Sequence, residues 1–337
     1  MRSTPMDNYD RQILGLNDAE LERFVRDWVD RKTATYVECA RFSGTGDLGR
    51  DVVGFLSRAR HEGAWHNYQC KQYGKTLPTE DGIREIGKIL YNAHQGHFRA
   101  PVRYFFVAPR GVNRNLETLI FNPSAFKARL ISDWNKYCAA SIIEKRTIPL
   151  DAPLKAFIES YDFSGITRLA LDDILNDLHV KPVLTKWFGA DPGPAPKGEV
   201  PTEIQVSELP YIGQLVDAYG DRDGTAYAGH SEIEVHPRHG PHLARQRERF
   251  YDAAAFKRFY RDNTEKEILE TFESDIYHGV VDVCDAGHRD KLVCVDAVMT
   301  HAAQISVSGL LAPHARVPVK QGVCHHFANE NRLRWHR

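Results

Sequence analysis

At 337 residues the chain exceeds an average domain of ~150 residues and is long enough for two, each able to bury a core of its own. Hydrophobic residues at 42% and charged residues at 26% are ordinary for a globular protein, and no apolar run approaches the ~20 residues that cross a bilayer, which excludes a bundle of membrane helices. The net charge of −1 gives the whole molecule no attraction for a polyanion, so any affinity for nucleic acid has to come from a local patch.

The first eight residues lack the apolar core of a secretory signal, and their acid argues against a transit peptide, so a cytoplasmic location is expected. In chain order the pattern then predicts a helix over 18–30, a strand over 36–42, a Gly-rich turn, strands over 51–55 and 68–73 forming a hairpin, and a helix over 80–94. An apolar strand over 102–108 stops at Pro109, a helix covers 123–137, and 147–150 closes the sheet. From 155 to 187 the pattern turns helical, until three prolines and three glycines within 189–198 interrupt it. Beyond lie a helix over 206–219, a polar His-containing loop over 220–240, and helices over 243–263, 265–284 and 292–306. The expected division is a domain at 1–155, a helical and Pro/Gly-rich linker at 156–205, and a helical domain at 206–337. Cys39, Cys70, Cys138, Cys284, Cys294 and Cys324 form no CxxC pair, which disfavours a disulfide framework or a cysteine-rich zinc site.

The chemistry concentrates in Gly46-Asp47-Leu48-Gly49-Arg50-Asp51, the Val52-Val53-Gly54-Phe55 strand that follows, and Trp65-His66-Asn67-Tyr68-Gln69-Cys70-Lys71. Side chains alternate across a sheet, so Gln69 and Lys71 share a face while the Cys70 thiol sinks to the other side. In simple register Asp51 lies near Lys71. A carboxylate, an amide oxygen and an ammonium at one point suit a divalent cation held by oxygen ligands beside a group that orients water. Arg103, Arg110, Arg114, Lys127 and Arg129 form either a DNA-binding patch near this sheet or scattered surface charge.

Asp51 followed by Gln69-Cys70-Lys71 resembles the restriction-endonuclease-like PD-(D/E)xK superfamily, in the Mrr-like form where Gln replaces the acid of the xK motif. The resemblance implies an α/β core with a central mixed sheet flanked by helices. It also implies Mg²⁺ (or Mn²⁺) held by Asp51, Gln69 and the backbone carbonyl of Cys70, with Lys71 orienting or deprotonating the attacking water. A glutamate on the preceding helix often completes such a site; Glu22 fits that position, with Asp27 and Glu38 as competitors. Two departures stand out: Arg50 occupies the place of the superfamily's proline, and Gln69 leaves the site short of an acid. Singly, a GxxGxD turn and a QxK strand carry little; their order, helix, Gly-rich loop, strand, connection and strand, carries the reading.

Arg247-Glu248-Arg249-Phe250-Tyr251, Phe259-Tyr260-Arg261-Asp262, Ile276-Tyr277-His278-Gly279-Val280 and the run from Gly322 through Cys324-His325-His326 to Trp335 resemble the C-terminal domain of bacterial ABC-three-component proteins. That resemblance implies an effector subunit working with an SMC- or Rad50-like ABC ATPase and a small middle component, as in Lamassu-type antiphage systems. The histidine pair at 325 and 326, with His301 and His314 upstream, does not have zinc-finger spacing and reads as a packed, partly polar motif. Arg245, Arg247 and Arg249 spread over several faces of a helix, and no GxxxxGK[ST] loop occurs, which leaves ATP hydrolysis to a partner. The combined expectation is a metal-dependent endodeoxyribonuclease acting on double-stranded DNA, homo-oligomeric when active. The rivals are an enzyme for RNA or single strands, and a nuclease fold surviving only as a DNA- or partner-binding module.

Overall fold

The computed structural model describes residues 9–42, 44 and 46–336; the start of the chain, read above for targeting signals, lies outside them. The chain divides into two compact units, Met1–Ala190 and Asp191–Arg337. The Pro/Gly stretch therefore marks the boundary, but the expected linker at 156–205 starts too early, because 156–190 folds with the first unit.

The first unit opens with α1 (Tyr9–Leu14) and α2 (Asp18–Asp30). The start of α2 is fixed by a capping box, in which Asn17 and Glu20 each accept the other's backbone N–H at 2.9 Å. A five-stranded sheet follows in the order β1 (Glu38–Arg41), β2 (Val52–Phe55), β3 (Trp65–Cys70), β4 (Arg103–Val107) and β5 (Ile166–Leu169). The first three strands run antiparallel; β4 and β5 are each parallel to the strand before. Between them lie α3 (Thr79–His94), α4 (Arg114–Ile120), α5 (Pro123–Ser132), α6 (Trp134–Tyr137) and α7 (Ala152–Ser160), and after β5 come α8 (Leu171–Leu175) and α9 (Lys181–Phe188).

Alternation along the strands supplies two cores. On one face Val52, Tyr68, Cys70 and Val107 meet Phe24, Val25 and Trp28 of α2 and Val183 and Leu184 of α9. On the other, Val53, Phe55, Trp65, Tyr104 and Phe106 meet Ile83, Ile86, Ile89 and Leu90 of α3 and Leu154 and Ile158 of α7. Each face is thus covered by helices, as both-face burial of a partly parallel sheet requires.

Three expectations fail here. The second hairpin strand is β3 at 65–70, so Lys71 lies just past its end. The segment 147–150 is not a strand: Pro149 has no N–H for a ladder, and Ile148 packs into the core beside a Trp134 indole that donates to its carbonyl at 2.9 Å. The fifth strand is instead Ile166–Leu169, four residues inside a stretch that reads as helical. The single helix expected at 123–137 breaks at Asp133.

The second unit is helical: α10 (Leu209–Asp223), α11 (His230–Glu234), α12 (His239–Asn263), α13 (Lys266–Asp285), α14 (Lys291–Gln304) and α15 (Val317–Asn329). The loop expected at 220–240 contains α11 and the start of α12. Helices α12 and α15 cross closely because Gly322 has no side chain; a Cβ there would collide with the Arg249 carbonyl. No helix among the described residues is long and apolar enough to cross a membrane.

Candidate active site

The loop before β2 is built by short-range polar contacts. Asp47 accepts the Gly49 N–H at 2.8 Å and the Lys88 ammonium of α3 at 2.7 Å, and Gly49 takes φ +92°, a conformation that favours glycine. Arg50 donates from Nε to the Asp47 carbonyl at 2.8 Å, and its guanidinium lies between the rings of Phe42 (4.3 Å) and Phe98 (4.7 Å). The residue standing where a proline was expected thus fixes the loop by stacking instead of by ring constraint.

This loop delivers Asp51 to the head of β2, where it is 6% exposed. Asp51 Oδ2 accepts the Gln69 amide N–H at 2.7 Å and the Cys70 backbone N–H at 2.8 Å. Tyr104 donates to Gln69 Oε1 at 3.3 Å, holding the amide from the other end. Burial pushes the Asp51 carboxyl up to about 7 against the opposing pull of Lys71 and the Cys70 N–H, with the charges of Glu22 and Glu85 adding to the rise.

The register pairs Val52 with Tyr68, so Asp51 stands opposite Gln69, and Lys71, two residues on, is near enough for its charge to act on the carboxyl, as expected. Lys71 donates to Glu85 Oε1 of α3 at 2.7 Å. Burial alone would depress the Lys71 ammonium, but Glu85 and Asp51 hold it above its usual range. The parity argument holds: Cys70 lies in the α2 core, while Gln69 and Asp51 turn to the α3 face.

Glu22 receives Arg41 NH1 at 3.2 Å; its carboxyl is raised by burial and pulled down by Arg41. Its charge is felt at Asp51, whereas Asp27 accepts from Trp187 at 3.0 Å and Glu38 from Arg60 at 2.8 Å. The residue that sequence reasoning missed is Glu85, 7% exposed, with Oε2 buried and without a hydrogen-bond partner. Its signal was present: it falls within the stripe of Ile83, Ile86 and Ile89, where a carboxylate is out of place unless paired.

These residues fit a hard divalent cation. Asp51, Gln69 and Glu85 offer oxygens, and one carboxylate oxygen is already orphaned. Because one residue's N–H and C=O leave an extended strand on the same side, the Cys70 carbonyl points toward the Asp51 side as its N–H does. Gln69 needs its amide turned over to present Oε1, since its nitrogen now faces Asp51. The five cations at Arg103, Arg110, Arg114, Lys127 and Arg129 are not gathered into one patch: Arg103 opens β4 and Arg110 follows its far end, on the order of 20 Å along the strand. Arg129 is paired with Asp133, and Lys127 donates to the Glu159 carbonyl.

In the second unit the sequence blocks converge. Arg247 is buried against Glu208 at 2.9 and 3.0 Å, Tyr251 donates to the same carboxylate at 2.9 Å, and Phe250 stacks between Tyr211 (4.6 Å) and His326 (4.2 Å). His325 is fully buried on Gln246 Oε1 at 2.8 Å, His326 meets the Phe250 carbonyl at 3.0 Å, and the Cys324 thiol donates to the Lys320 carbonyl. Residues 208–335 match the family model of C-terminal domain 6 (CTD6) of the ABC-three component systems. This CTD6 domain associates the chain with an ABC-three component system. No curated protein and no solved structure matches the chain.

Among the described residues, one group of three side chains in the CTD6 domain has metal-like closeness: Asp223, His236 and His239. There His239 already bonds Asp223 at 2.7 Å, as do Tyr227 at 2.9 Å and Arg238 at 3.0 Å. The two imidazoles stack at 4.4 Å and 16°, so their lone pairs run side by side instead of converging. The cluster is a hydrogen-bonded stack at a helix junction.

Proposed function

We propose that the first unit is a Mg²⁺- or Mn²⁺-dependent endonuclease with a restriction-endonuclease-like core that hydrolyses double-stranded DNA. In this reading the CTD6 domain attaches it to an SMC-like ABC ATPase and a small middle component, in a Lamassu-type defence complex. The observation that carries the reading is Asp51 at the head of β2, bonded to Gln69 and to the Cys70 backbone, with Lys71 just past the end of β3 and paired with Glu85.

A cation held by Asp51, Gln69 and the Cys70 carbonyl would lower the pKa of a bound water and shield phosphate charge. Lys71, kept protonated by its two carboxylate neighbours, orients the attacking water and stabilises charge developing on the phosphoryl oxygens. A permanently charged ammonium is a poor base, so its role is electrostatic. Glu22 adds a carboxylate at the α2 side, and Tyr104 fixes the Gln69 amide.

A second reading, a catalytically decayed fold that binds DNA or a partner, is favoured by the Gln69 nitrogen facing Asp51. Plasmid cleavage with and without Mg²⁺ separates the two. Asp51→Ala and Lys71→Ala should each lower cleavage by about 100-fold or more while circular dichroism stays unchanged. Gln69→Glu should keep activity and Gln69→Ala lose most of it. Undiminished cleavage by the folded Asp51 or Lys71 variant refutes the assignment.

A further inference from the structure

Gln69 leaves the paired strands one carboxylate short, and α3 holds one directly behind them. Glu85 projects from the buried stripe of α3 onto the sheet face that carries Asp51 and Gln69. Its Oε1 takes the Lys71 ammonium at 2.7 Å, whereas Oε2 is buried with no donor. The neighbouring cations of α3 are committed elsewhere, Arg84 to Asp81 and Lys88 to Asp47. Lys71 is bonded to Glu85 and its charge also acts on the nearly buried Asp51, so one ammonium faces two carboxyl groups in the interior. Hydrogen bonding from Gln69 and Tyr104 does not reach the orphaned oxygen.

We propose that Glu85 is a second anionic ligand of the divalent-cation site, sharing the ion with Asp51 and supplying from a helix the acid that Gln69 does not supply from the strand. The proposal rests on the metal-dependent nuclease reading. The ammonium sits at Oε1 and the ion would take Oε2 of the same carboxylate, so their positive charges oppose each other there. The orphaned oxygen is the atom such an ion would satisfy without breaking an existing bond.

Titration calorimetry of the full-length chain with Mn²⁺ and with Ca²⁺ tests this without requiring cleavage. Glu85→Gln should weaken Mn²⁺ binding by at least about tenfold, and Glu85→Asp, which keeps the charge, should weaken it less. Lys71→Met should bind Mn²⁺ as tightly as the wild type or more tightly, since the opposing ammonium is gone. Thermal melts establish that each variant is folded; should Glu85→Gln fail to fold, the comparison of Glu85→Asp with Lys71→Met decides. The proposal is overturned if Glu85→Gln binds within about threefold of the wild type. It is equally overturned if Lys71→Met loses binding as Glu85→Gln does, which would make Glu85 a prop for the lysine. A wild-type chain that binds neither ion would overturn the metal-dependent reading as well, so the two failures are distinct.

Discussion

Replacing Asp51 by Asn should stabilise the protein at alkaline pH, because the wild-type carboxyl is ionised there at a cost. Its folded-state value of about 7 lies above the usual 3.8, so between those values the folded chain holds a proton that the unfolded chain has released. Stability contributed by the protonated form is complete below about pH 4 and is lost as pH rises to about 7. At ~1.4 kcal/mol per pH unit, the loss reaches about 4 kcal/mol. Asn avoids the ionisation, and its one oxygen can accept both N–H groups that Asp51 Oδ2 accepts now, from Gln69 and from Cys70. The expected gain for Asp51→Asn is therefore about 4 kcal/mol at pH 8, shrinking toward zero near pH 4. Urea unfolding followed by tryptophan fluorescence suits the question, since four of the five tryptophans lie in the first unit. Mg²⁺ at pH 8 should stabilise the wild type and leave Asp51→Asn unmoved. A variant equally or less stable than the wild type at both pH values would refute the argument that burial raises this carboxyl.

Removing one partner of the buried Glu208 and Arg247 pair by Arg247→Ala should cost about 3–5 kcal/mol in denaturant unfolding of the CTD6 domain, because Glu208 is left charged and fully buried. The fragment 191–337, which has its own core, should co-purify with the middle component or the ATPase; retention of those partners only by the first unit would refute the division of labour. A double-strand break requires two single-strand cutting centres, and closed symmetric oligomers supply them, so light scattering should find the free protein dimeric or larger and active. A strictly monomeric protein making double-strand breaks at full rate would rule that out.

Where local pattern and tertiary structure agreed, the sequence was readable. The amphipathic periods over 18–30 and 80–94 became α2 and α3 almost residue for residue, and the apolar run ending at Pro109 became β4. Short elements hidden among stronger signals were not. Ile166-Thr167-Arg168-Leu169 has too few residues to show a period of two, and only pairing with Tyr104 to Val107 makes it a strand. The Pro/Gly stretch correctly marked the end of the first unit, but the helical residues before it carry no local sign that they cover a sheet face with Val52 and Tyr68.

The site was legible along the strands and obscure across them. Alternation assigns Gln69 and Cys70 to opposite faces without reference to anything else in the chain, and the structure agrees. Which helix covers the Gln69 face is a long-range fact, and two amphipathic helices each offered a glutamate. The superfamily pattern favoured Glu22, on the helix that covers the Cys70 face. Burial distinguishes them physically: a glutamate on the edge of a polar face needs no explanation, whereas Glu85 interrupts an apolar stripe and would be expelled or protonated without a cation beside it. The departure from amphipathicity at position 85 therefore implied a buried partner before any fold was known. Lys71, the one cation in the strand pair's motif whose role depended on a carboxylate, is that partner.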